Sequence, residues 1–249
     1  ATQILADLGA KIWKVESPWG DDTRQWGPPY LNGESAYYLS ANRGKKSLII
    51  NLKSEKGQYI IKDLVKKSDI LVENFKVGNL AKFGLDYKSL SALNPKLIYA
   101  SVTGFGQTGP RASQPGYDAA LQGMTGVMSV TGDENGSPTK VGVAWIDILT
   151  GLNATIGILS ALNERNSSGL GQHVDVSLFD VGIASMGYLA QNYLATGVSP
   201  NRIGNAHPQV APYQDFEASD GSFMAAANND DQFQRLCKTI GLDELLKDD

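Results

Sequence analysis

The sequence predicts an α/β protein: a Rossmann-like parallel sheet covered by helices on both faces, followed by the start of a smaller α+β domain. Three observations carry this. Short runs such as "SLIINL" at 47–52 and "KLIYASV" at 96–102 are apolar on successive residues, as strands buried on both faces must be. Helix-length stretches separate these runs, which gives the long crossovers that parallel neighbours need. The rhythm then changes at about Ile203, where alternating residues and a turn signal replace it.

Each element follows from local signals. "ATQILADLGA" is a helical stretch stopped by Gly9, and it runs directly into the strand "KIWKVE" at 11–16. A strand should precede that helix, so an upstream strand, and any targeting segment, are expected to lie before this sequence. A loop rich in Gly and Pro at 17–33 leads to a short helix at 35–40 and the strand at 47–52. Ser54 is placed to cap a helix over 55–67. The strand "DILVENF" follows, then short helices at 79–83 and 87–93, then the strand at 96–102. The longest helix is expected at 148–165, with Gly151, Ala154, Gly157 and Ala161 as a face for close packing. "GQHVDVSLF" reads as one more strand and 181–195 as another buried helix. Beyond Ile203, "YQDFEASDGSFMAAA" reads as a hairpin turning at Asp220–Gly221, and "DDQFQRLCKTIG" as an amphipathic helix. A large domain is thus expected at 1–202, with its start missing, and an incomplete small one at 203–249.

Composition narrows the function classes. The net charge of -4 argues against nucleic-acid and anionic-membrane partners. A single cysteine, Cys237, excludes a disulfide framework within the chain and fits a reducing, intracellular compartment. Two histidines, His173 and His207, are too few for a His-rich metal site, and no metal is expected. No apolar run reaches the roughly 20 residues that span a bilayer; the best candidate, 148–162, carries Thr150, Asn153 and Thr155, so a soluble chain is expected.

The stretch "SVTGFGQTGP" at 101–110 spaces Gly104, Gly106 and Gly109 as G-x-G-x-x-G, the pattern of a dinucleotide cradle. The setting is wrong for one. Pro110 and "QPG" at 114–116 prevent a helix from starting at once, and at least three strands come first. His173, His207 and Cys237 read as structural, "NRGKKS" as a solvated turn, and Asp175 and Asp180 as caps. Asp147 in "VGVAWIDILTG" has two readings. It can cap the buried helix that follows it, or, held ionised where water is restricted, it can serve as a nucleophile.

The stretches "ATQILADLGAKIWKVESPWGDDTRQWGPP", "NRGKKSL", "VENFKVGNLAKFGLDYKSLSALNPKLIYASVTGFGQTGP", "PGYDA", "VGVAWIDILTG", "GLGQHVDVSLFD" and "GNAHPQVAPYQDFEASDG" resemble the class III CoA-transferase family, in that family's order along nearly the whole chain. "DDTRQWGPPY" with "ESAYYLSANRGKKS" is most similar to its succinate:hydroxymethylglutarate branch. The resemblance implies transfer of coenzyme A from an acyl-CoA to a free (di)carboxylic acid through covalent aspartyl intermediates, with Asp147 as the catalytic residue. It implies coenzyme A contacts at Ile50, Lys53, Asn74, Phe75, Asn79, Lys82, Gly116, Tyr117 and Leu178. Ser17 stands where the formyl-CoA branch has an arginine. An interlocked homodimer is implied too, in the mitochondrial matrix of a eukaryote or the cytoplasm of a bacterium. Two other functions are consistent with the fold: an α-methylacyl-CoA racemase, which would place a histidine where this chain has Tyr117, and an inactive CoA-binding fragment.

Overall fold

The computed structural model describes residues 1–247. Asp248 and Asp249, the last residues of the expected small domain, lie outside the described residues. Helix α1 (Thr2–Asp7) leads into β1 (Ile12–Glu16). After a 3-10 turn, β2 (Tyr30–Leu31) and β3 (Glu34–Ser35) form a small hairpin. Its loop is Asn32–Gly33, both with positive φ, the two-residue turn that an Asn-Gly pair favours. The loop expected at 17–33 thus ends in a hairpin. The segment is held by Glu16, which is buried and accepts hydrogen bonds from Arg24, Ser47 and Tyr38, with the Lys14 ammonium alongside.

Ser35 caps α2 (Ala36–Ala41), and β4 (Lys45–Ile49) then pairs in parallel with β1, Ile12 opposite Lys45 and Glu16 opposite Ile49. The strand expected at 47–52 therefore starts earlier and ends earlier. Asn51 takes the chain out of the ladder, its side chain accepting from the Lys53 N–H and its carbonyl from the Ser54 N–H, a local turn that competes with strand pairing. Ser54 caps α3 (Glu55–Val65), as expected.

The three strands β5 (Ile70–Glu73), β6 (Ile98–Thr103) and β7 (His173–Ser177) form a second parallel ladder in that order, with α4 (Tyr87–Leu93) between the first two. Where one parallel sheet was expected, the described residues thus form two parallel ladders. Neighbouring residues of β6 face opposite ways. Tyr99 packs with Ile61, Val65, Leu80 and Leu90, and Ala100 with Leu5 and Ile158.

Past β6 come α5 (Asp118–Met124), the short α6 (Val127–Val130) and α7 (Trp145–Ser168). With 24 residues, α7 is longer than expected, and by length and composition alone it would reach across a bilayer. Its buried side, including Ala154, Ile158 and Ala161, packs within the fold against β6 and β7. The expected strand at 171–179 stops at Ser177, whose hydroxyl accepts the Asp180 N–H and so starts α8 (Leu178–Ser185). The expected helix at 181–195 is two helices, α8 and α9 (Gly187–Thr196). Then come β8 (Tyr213–Ala218), β9 (Gly221–Ala226) and α10 (Asp230–Ile240), and a 3-10 turn (Asp243–Lys247) is the last described element. Ala218 pairs with Gly221, so the hairpin turns at Ser219–Asp220, one residue before the expected position.

The chain divides into two compact units. The first comprises 1–124 and 142–185; the second comprises 125–141 and 186–249, of which residues up to 247 are described. In the second, the His207 ring stacks on Tyr188 and meets Tyr213 edge-on, while its Nδ1 accepts the Gln209 N–H. These contacts give His207 a structural place.

Candidate active site

The glycine-rich stretch after β6 is a close crossing of two backbones. A Cβ on Gly104 would lie 2.6 Å from the Gly116 Cα, and one on Gly116 would lie 2.4 Å from the Gly104 Cα, so neither position admits a side chain. Gly104 also accepts the Phe179 N–H, and the Asp175 carboxylate accepts the Gln107 N–H at 2.9 Å. Asp175 is thus an anchor for this loop and not a helix cap. The stretch holds "PGYD" against the carboxyl ends of β6 and β7, where ligands of parallel α/β sheets gather.

That crossing fixes Asp118, the first residue of α5. One oxygen of its carboxylate accepts the main-chain N–H groups of Ile146 at 2.8 Å and Asp147 at 3.3 Å; the other accepts from the buried Gln122 side chain at 2.7 Å. Beneath them Leu121, Ile146 and Leu178 form one core cluster. The two readings of Asp147 are thereby separated. The residue before α7 is Ala144, which has no capping side chain, and Asp147 lies inside the first turn. Asp118 satisfies the helix terminus from another element.

Among the described residues no hydrogen bond or ion pair engages the Asp147 carboxylate. One side of it opens to solvent, yet burial by the protein on the other side raises its pKa above the ordinary 3.8, and the Asp118 charge adds to the rise. A carboxylate whose ionised form is disfavoured in this way, and which no donor stabilises, is more basic than a free one.

The structure distributes the other expected residues as follows. Asn74 and Phe75 follow β5 directly; the Asn74 amide donates to the Val102 carbonyl at 2.6 Å, and the Phe75 ring is about half exposed. Gly116, Tyr117 and Leu178 lie at the carboxyl ends of β6 and β7, Tyr117 exposed and Leu178 buried. Ile50 and Leu80 belong to one core cluster, which ties the end of β4 to the 3-10 turn carrying Asn79 and Lys82. Lys82 donates to Asn79 at 3.1 Å, and Lys53 is exposed on the turn that begins at Asn51. Ser17 closes a tight turn, its hydroxyl bonded to the Gly20 carbonyl and the Trp19 N–H.

Sequence reasoning missed the role of Asp118. Its signal was present: a carboxylate directly after "PGY", opening a helix. It also missed a cavity of about 330 Å³ lined by Glu73, Lys76, Tyr87, Tyr99, Ser101 and His173. There His173 stacks on Tyr87 and its Nε2 lies 2.9 Å from the Ser101 hydroxyl. Among the described residues no group of three or more His, Cys, Asp or Glu is assembled to hold a metal.

Glycine turns at the carboxyl ends of parallel strands place the chain among α/β proteins whose strand ends are the usual seat of a ligand. The CoA-transferase family III model matches residues 1–249, and the chain belongs to that family. It is 48% identical over 256 residues to the succinate–glutarate CoA-transferase of Agrobacterium fabrum, covering 100% of this chain and 64% of that protein. It is 44% identical over 247 residues to the human succinyl-CoA:glutarate CoA-transferase, covering 99% and 56%. The crystal structure of a CAIB/BAIF family protein from Brucella suis superposes with a TM-score of 0.88 at 51% identity, over 99% of this chain and 66% of that one. The chain thus spans less than two thirds of the length of these relatives.

Proposed function

We propose that the complete protein is an acyl-CoA:carboxylate CoA-transferase for dicarboxylic acids, with Asp147 as the nucleophile. The observation that carries this is the Asp147 carboxylate itself, released from capping by Asp118 and, among the described residues, left without a hydrogen-bonding partner. The names of the relatives supply the substrate class. Attack by Asp147 on the thioester carbonyl of an acyl-CoA breaks the C–S bond and gives an acyl anhydride plus CoA thiolate. The thiolate then attacks the aspartyl carbonyl of that anhydride, which releases the free acid and leaves an aspartyl-CoA thioester. The acceptor carboxylate attacks this thioester, and returning thiolate cleaves the new anhydride on the acceptor side, regenerating Asp147. At every stage one carbonyl, first the donor's, then that of Asp147, then the acceptor's, is held activated as a thioester or anhydride.

Coenzyme A is proposed to lie across the strand ends, with Lys53 and Lys82 near its phosphates and Phe75 offering a ring face to the adenine. Ile50, Asn74, Asn79, Gly116, Tyr117 and Leu178 complete that surface. The proposal extends to a Rossmann-like large domain, an interlocked homodimer, and a mitochondrial or bacterial cytoplasmic location. A two-base racemase needs a second proton carrier beside the aspartate, and the adjacent position carries a phenol, Tyr117.

The test is chemical. Incubation with succinyl-CoA and hydroxylamine should convert Asp147 to a hydroxamate, and Asp147→Asn should abolish exchange while retaining CoA binding. A folded Asp147→Asn protein that exchanges CoA at a substantial rate would overturn the assignment.

A further inference from the structure

The first turn of α7 is where the proposed nucleophile is held, and its main-chain donors are already taken. Orphan N–H groups at a helix start attract any nearby carboxylate and hold it ionised. Here those of Ile146 and Asp147 point to Asp118, at 2.8 and 3.3 Å. Asp118 cannot drift from them. Its second oxygen is bonded to Gln122, which is fully buried, and Gly116, two residues before it, is held against the Gly104 backbone.

We propose that Asp118 is a positioning residue for the reaction at Asp147. It fixes the backbone from which the nucleophile projects, and it occupies the donors that would otherwise bond the Asp147 carboxylate and blunt its attack. This inference rests on the reading of Asp147 as nucleophile. Hydrogen bonds to an ionised carboxylate lower its basicity, so a carboxylate denied them is the stronger nucleophile. Tyr117 is covalently next to Asp118, so the wall of the acyl-CoA site and the nucleophile are joined through a single side chain.

Four forms of the complete protein test it: wild type, Asp118→Ala, Asp118→Asn and Asp118→Ser. The readouts are kcat, the KM for succinyl-CoA, and the rate at which hydroxylamine traps Asp147 in a single turnover. Asp118→Ala frees the first turn of α7 and should lower kcat and the trapping rate by on the order of 10²-fold, since small misplacements of a reacting group have effects of that size. KM should stay within about threefold, because the lost interaction does not touch substrate. Asp118→Asn keeps an amide oxygen to accept the same N–H groups, its NH2 donating to a turned Gln122 amide, and should recover most of the activity, which a non-specific loss of packing would not do. Should the alanine variant fail to fold, Asp118→Ser carries the test; serine suits a helix start but is too short to hold both donors, and about a tenfold fall in kcat is expected. Trapping and kcat at wild-type levels in the alanine or serine variant would overturn the role of Asp118. Absence of trapping at Asp147 in the wild type would instead overturn the nucleophile, and the inference with it.

Discussion

Asp147 lies where a capping residue would be expected and does not cap. Its raised pKa comes first from burial and second from Asp118, and both act against the ionised form. On the proposed reading of Asp147 as nucleophile, attack requires that form, so kcat/KM should fall as pH drops through a value above 3.8, the ordinary aspartate figure, and a pH-rate profile reads this directly. The same sign governs stability. A carboxyl whose pKa is raised by folding binds its proton more readily when folded, so Asp147→Asn at neutral pH should leave the melting temperature at or above that of the wild type. A cap would give the opposite result. Lys53 and Lys82 carry the second expectation at this scale. Replacing either with Glu should weaken CoA binding by about 1–3 kcal/mol, less so at high salt, as measured by calorimetry. Asp147 stood out in the sequence as a lone carboxylate at the mouth of an apolar helix, where a cap and a nucleophile read alike. The partner that frees it did not stand out, because Asp118 is 28 residues away from the first N–H it accepts.

Elements show the same division between local and long-range causes. Ser54 announces α3 from the sequence, and the structure shows its hydroxyl accepting the Gly57 N–H at 3.1 Å. The start of α7 at Trp145 depends on a side chain from α5, and the end of β4 on a turn at Asn51, so both boundaries moved. The glycines after β6 have local spacing but a distant reason, the backbone of Gly116. Gly104→Ala should therefore destabilise the protein by about 1–3 kcal/mol, as overpacking does, and should lower exchange in the protein that remains folded, because Gly116, Tyr117 and Asp118 must shift together. Thermal unfolding combined with an exchange assay on the folded fraction checks both.

For the whole molecule, the α/β class was readable from apolar strands separated by helix-length crossovers. That the strands form two ladders was not, since strand neighbours are chosen by packing and not by any one strand's composition. One face of α7 presents Ile148, Leu152, Ile156 and Leu159 to solvent, at spacings that align along the helix, and Tyr117 is exposed nearby in sequence to Asp118. The proposed anhydride chemistry requires a site that excludes water. The complete protein is accordingly expected to be a dimer that covers this face, with light scattering giving twice the chain mass; a stable, fully active monomer would contradict it.

The grip of Asp118 on two main-chain groups of another helix also sets a clock. Amide protons in the first turn of a helix lack partners within the helix and ordinarily pass to water freely. Those of Ile146 and Asp147 can leave only when the contact between α5 and α7 opens, so their exchange into deuterated water follows the lifetime of that contact. Two slow amides at the start of α7, quickened or slowed as substrates occupy the wall at Tyr117, would report each breath of the site in real time without any label on the substrate.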